Sequence, residues 1–184
     1  FSEDDSLRIY TSGTTNILKY PELNDSDNMQ KLLTEYLIHI GNLSLNEMQK
    51  LEVNNMFNII TDIERAGDHA ENIAEQAKFA EEHAISFSEI GQDDIRKISK
   101  TVVESFHASI EAFEKNDLDM VVKTAHLEDQ VDDMEEDMRE THTERLNSGA
   151  CAPQAGVVFL DVISDLERIS DHADNIAGYV KAMV

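Results

Sequence analysis

Glu64, Asp68, Glu71 and Glu75 place four carboxylates at three- and four-residue steps, and Glu167, Asp171 and Asp174 repeat the pattern 103 positions later. At 100° per residue, Asp68, Glu71 and Glu75 fall within about 40° of Glu64, so the acids form one narrow stripe on a helix. The surrounding segments, TDIERAGDHAENIAE at 61–75 and SDLERISDHADNIAG at 164–178, share nine of fifteen residues. Packing alone would require only the apolar positions to repeat, yet the polar ones repeat too. Like charges four residues apart destabilise a helix by a few tenths of a kcal/mol per pair. Keeping them in both copies points to a positive species held there. Carboxylate oxygens are the donors that hard cations such as iron(III), manganese, magnesium or calcium select.

A third acidic pair strengthens the second copy. Glu128 and Asp132, in LEDQVDDME, precede a turn near residue 150 by about as much as Asp171 and Glu167 follow it. In an antiparallel hairpin these two E-x-x-x-D pairs stand level on neighbouring helices. The candidate ligands are therefore Glu128, Asp132, Glu167 and Asp171, with Glu64 and Asp68 in the first copy. Weaker candidates are Glu71, Asp174, Glu22, Asp25 and Asp27. The last three lie where the first hairpin needs partners, but no E-x-x-x-D pair exists there, which makes the first site the poorer one. Arg65 and Arg168 could neutralise the stripe through salt bridges. His69 and His172 lie off it, beside the core, and suit packing or hydrogen bonding better than ligation, as do Asn72 and Asn175.

These side chains need long helices to carry them. Residues 1–24 read as an irregular lead-in or linker. Helical periodicity covers about 25–42, then about 46–84, where Ile63, Ala66, Ala70 and Ile73 form the arc expected to face the core. A turn at Ser86–Gly91 precedes helices to about Lys115 and about Asn147. Ser148-Gly149 and Pro153 then separate the last helix, about 152–183, in keeping with Gly after a helix end and Pro in a first turn. The reading is all-α: tandem antiparallel three-helix bundles, with a partial first repeat at 25–86 and a second at 91–184. The first bundle is incomplete or borrows a helix from elsewhere.

The chain has 38 Asp plus Glu against 15 Lys plus Arg, a net charge of −23. That disfavours nucleic acid and anionic lipid and favours cations or basic protein surfaces. The single cysteine, Cys151, is compatible with a reducing compartment. No apolar run reaches the roughly 18 residues of a membrane span. The start lacks Met and any signal-peptide pattern, which suggests a processed chain or part of a longer one.

DIERAGDHAENIAE, DLERISDHADNIAG and LEDQVDDME together resemble the signature helices of the PhoU family of phosphate-transport regulators. LTEYLIHIGNLSLNE is more similar to the version fused behind sodium/phosphate cotransporters. The resemblance implies a duplicated three-helix-bundle fold and multinuclear iron or other divalent or trivalent metal held by Glu64, Asp68, Glu128, Asp132, Glu167 and Asp171. It also implies a cytoplasmic regulatory role, with a tether to the inner membrane face if the chain belongs to a transporter. The implied partners are a phosphate transporter's membrane domain or an associated sensor kinase, and a homodimer is compatible. No catalytic triad or phosphate-cradling Gly-rich loop accompanies these features, so the expectation is a non-enzyme. Two alternatives compete. A ferritin-like di-iron oxidase needs a Glu-x-x-His pair on each of two helices, and Glu104/His107 is a single instance. A metal-free acidic helical adaptor would bind a basic partner.

Overall fold

The computed structural model describes residues 26–183, with side chains from Met29 onward. Among the described residues, five helices follow one another: α1 (Ser26–Gly41), α2 (Glu47–Glu82), α3 (Glu89–Lys115), α4 (Leu118–Asn147) and α5 (Pro153–Met183). No strand occurs among the described residues. The boundaries agree with the periodicity to within a residue or two because the ends are written in local chemistry. Asn46 caps α2 through a capping box: its Oδ1 accepts from Gln49 N at 2.9 Å while Gln49 Oε1 accepts from Asn46 N at 3.0 Å. Ser88 and Asp117 cap α3 and α4 through the side-chain oxygen alone, Ser88 accepting from Gly91 N and Asp117 from Asp119 N and Met120 N. Asn116 ends α3 at φ 51, and Gly149 takes φ 72 in the α4–α5 turn, where a side chain would be strained.

Helices α3, α4 and α5 pack pairwise into a three-helix bundle, α2 lies along α5, and α1 packs mainly on α2. The core is centred on α5, where Leu166, Ile163, Phe159 and Ile176 are fully buried. Ile98 and Val102 from α3, Val131 and Met138 from α4, and Ala66 and Ile73 from α2 share that core. Near the α4–α5 turn, His142 stacks on Phe159 with ring centroids 5.0 Å apart, and Arg145 sits over the same ring. Arg145 Nη1 also stands 3.3 Å from Asp94 Oδ2, an ion pair without hydrogen-bond geometry that ties α3 to α4. Gly156 is required here, since a Cβ would come within 2.6 Å of His142 Nε2.

One sequence expectation is corrected. Of the arc assigned to the core of α2, Ala66 and Ile73 are buried, but Ile63 is 44% exposed and Ala70 is exposed as well. The helix has turned so that the line through Asn55, Ile59, Asp62, Ala66 and Ile73 meets α5. Ile63 and Ala70 lie on the flank of that line.

Candidate metal centre

The α4–α5 hairpin brings carboxylates together because each helix repeats an acid every three or four residues on one side. One oxygen each from Glu128 and Asp132 on α4 and Asp171 on α5 lie within 4.8 Å of one another. Among the described residues, no other three such side chains meet as closely. The electrostatics show the cost of that meeting. Glu128 is pushed up to about 7, first by burial and then by Asp132, Asp174, Asp171 and Asp129. Asp132 is raised by burial and then by Asp171, and Asp174 by burial and then by Asp129 and Asp171. Glu167 is raised by burial and by Asp171, with Arg168 opposing. Such a group either holds protons or holds a cation.

The donor set fits a hard cation: all oxygen, partly solvated, from two helices whose separation is fixed by a packed core. Glu167 is half-buried beside the group and outside the three-oxygen convergence. Asp171 also accepts from Arg168 Nη1 at 2.9 Å, and Arg168 Nε lies 3.5 Å from Glu167. Arg168 is thus the neutralising cation of the second stripe. Arg139 is bound to Glu135 one turn along α4.

The first copy is arranged differently. Asp68, Glu71 and Glu75 are exposed and line a shallow cleft with Arg65, His69 and Asn72, while Glu64 is half-buried. No acid of α1 joins them in a three-carboxylate group among the described residues. Glu22, Asp25 and the Asp27 side chain lie outside the described residues. Glu104 pairs with Lys123 Nζ at 2.8 Å and His107 is exposed, so neither enters the acidic group.

Two residues that sequence reasoning passed over explain much of the duplication. Asp62 and Asp165 hold the two histidines crosswise. His172 Nδ1 donates to Asp62 Oδ1 at 2.7 Å, and His69 Nδ1 donates to Asp165 Oδ1 at 2.8 Å. Asn175 and Asn72 add second donors to the same oxygens at 3.5 and 3.3 Å. The two imidazoles stack with centroids 5.7 Å apart. Each repeat's Asp serves the other repeat's His and Asn, so α2 and α5 cross about a local two-fold. The signal was present, since Asp62 and Asp165 recur at the same offset as His69 and His172.

The PhoU domain family model matches residues 6–77 and 95–180. The phosphate-specific transport system accessory protein PhoU homolog 1 of Thermotoga maritima is 30% identical over 119 residues, 65% of this chain and 50% of that relative. The PhoU homolog of Pseudomonas aeruginosa is 32% identical over 130 residues, 68% of this chain and 51% of that relative. The chain spans about half the length of the curated relatives it matches. The crystal structure of PhoU from Pseudomonas aeruginosa superposes with a TM-score of 0.84 at 23% identity, covering 98% of this chain and 87% of that one. At that identity the superposition establishes the shared helical fold. No helix among the described residues is long and apolar enough to cross a membrane.

Proposed function

Since this chain belongs to the PhoU family, we propose that it is a metal-binding regulatory domain that controls phosphate uptake through protein contacts. The observation that carries the metal reading is the convergence of Glu128, Asp132 and Asp171 oxygens within 4.8 Å across α4 and α5. Burial and neighbouring carboxylates raise the proton affinity of Glu128 and Asp132, and a multivalent cation stabilises such a site by neutralising the repulsion. Glu128, Asp132 and Asp171 would ligate it, with Glu167 completing the shell and Arg168 offsetting the remaining charge. The bound ion, iron or another divalent or trivalent metal, would fix α4 against α5 and present a cationic spot on an acidic surface. Asp68, Glu71 and Glu75 offer a second, more open site.

Regulation by contact agrees with the accessory role in the names of the relatives. The partner is a phosphate transporter's membrane domain or an associated sensor kinase. A place at the cytoplasmic face, as part of a sodium/phosphate cotransporter, belongs to the same proposal. It rests on the LTEYLIHIGNLSLNE resemblance.

Metal content tests the reading directly. Protein purified without chelator should retain stoichiometric metal, and Glu128→Gln/Asp171→Asn should lose most of it while keeping its helical circular dichroism. Undiminished metal in that folded variant rejects the assignment. In cells, the same variant should uncouple phosphate uptake from external phosphate. A normal response in a strain whose purified domain is metal-free would reject the link between metal and regulation.

A further inference from the structure

Arg168 of α5 reaches two of the acids on which the metal reading depends. Its Nη1 donates to Asp171 Oδ2 at 2.9 Å, and its Nε stands 3.5 Å from Glu167 Oε2. Asp171 belongs to the three-oxygen convergence with Glu128 and Asp132, and Glu167 is half-buried beside it. Among the described residues, no other basic side chain forms an ion pair with any of these four acids. The other arginine nearby, Arg139 of α4, is bound through Nε and Nη2 to Glu135, outside the group. The Arg168 side chain is 56% exposed, against 22% for Glu167 and 30% for Asp171. The guanidinium therefore lies on the solvent side of its partners and can leave without opening the core. Exposed pairs of this kind hold weakly.

We propose that Arg168 competes with the metal for Asp171 and Glu167, so that guanidinium and ion hold those oxygens in turn. The inference rests on the metal reading above. A single positive charge on α5 leaves Glu128 and Asp132 of α4 without a bonded counter-ion, and burial and neighbouring carboxylates act on both. A divalent or trivalent cation brings more charge to the same group and can bond to acids of both helices. A guanidinium still hydrogen-bonded to Asp171 would then face that ion at close range, and like charges there repel. With the metal bound, Arg168 offsets the remaining negative charge from solvent and no longer through a bond. A free guanidinium then stands beside the ion on an otherwise acidic face. Occupancy thus alters the charge pattern that a partner meets at α4 and α5.

Calorimetric titration of the chelator-treated full chain with Mn2+ tests the competition, in wild type, Arg168→Gln and Arg139→Gln. Arg168→Gln should bind about tenfold more tightly than wild type, because no resident cation has to be displaced. Arg139→Gln removes an equal charge whose hydrogen-bond partner is outside the ligand group, and should stay within about threefold of wild type. Because Arg168 is exposed, Arg168→Gln should melt with wild type in EDTA, and tighter binding is not a result that damage to the fold produces. An Arg168→Gln affinity equal to or weaker than that of wild type overturns the proposal and leaves the metal reading standing. An equal gain in Arg139→Gln assigns the effect to net charge and also overturns it. If neither wild type nor Arg168→Gln takes up Mn2+, the metal reading itself fails and the competition falls with it.

Discussion

Replacing Glu128 by Gln should stabilise the metal-free protein at high pH and do nothing at low pH. Burial and the surrounding acids push the folded Glu128 carboxyl up to about 7, from an ordinary glutamate value of 4.5. Its proton is therefore held more tightly in the native state than in the unfolded chain. Between those values the native state binds more protons, so its contribution to stability falls as pH rises and the penalty is complete above about pH 7. At about 1.36 kcal/mol per unit the full shift would correspond to about 3 kcal/mol. Glu128 is half-buried and water screens its neighbours, so about 1 kcal/mol is the expected remainder. In a domain of this length that moves the melting temperature by about 3 °C. Thermal melts followed at 222 nm in EDTA, at pH 5 and pH 8, read the effect. Glu128→Gln should match wild type at pH 5 and exceed it at pH 8. A multivalent cation added at pH 8 should then raise wild type by about 2.7 kcal/mol at a hundredfold excess over Kd, and the variant much less. An equal difference at both pH values, or a variant less stable than wild type at pH 8 in EDTA, refutes the reasoning.

The crossed pairs should be unequal. His172→Ala, which strips a buried Asp62 of its main donor, should cost about 2–3 kcal/mol in urea unfolding, and His69→Ala, at a partly solvated pair, about 1 kcal/mol or less. Gly156→Ala should cost about 1–3 kcal/mol by driving a methyl into His142, and a His142→Ala background should recover part of that loss. His142 itself is held below its ordinary value by burial and then by Arg145. It is neutral in the fold, so its contribution is complete above about pH 6.5 and is lost on acidification. His142→Gln should accordingly flatten the fall in stability between pH 6.5 and pH 5, as read from urea midpoints. Lys123→Ala, by contrast, should change stability by less than about 0.5 kcal/mol, since its bond to Glu104 is exposed on both sides.

The helices were legible because their ends are local: Asn46 with Gln49, Ser88, Asp117 and Ser148-Gly149 each announce a boundary without reference to the rest of the chain. The meeting of Glu128 and Asp132 with Asp171 was legible too, since an antiparallel hairpin fixes height from the position of its turn. Height is only half of a contact. Rotation about each helix axis is decided by what packs behind it, and that placed Glu167 beside the convergence and turned Ile63 outward. Periodicity marked Ile63 and Ala70 as apolar, but it carries no statement about whether a neighbour is there to cover them. Asp62 and Asp165 were missed because their partners lie in the other repeat, 110 and 96 residues away.

That crosswise exchange has an evolutionary and practical corollary. Neither half can satisfy its own seam: the aspartate at 62 needs a donor from the second half, and the one at 165 needs a donor from the first. Two separate, identical halves meeting face to face would satisfy every one of these bonds, whereas a solitary half would satisfy none. A chain cut in the α2–α3 connection should thus yield fragments that seek each other, and any change accepted at one seam position obliges a matching change more than ninety residues away.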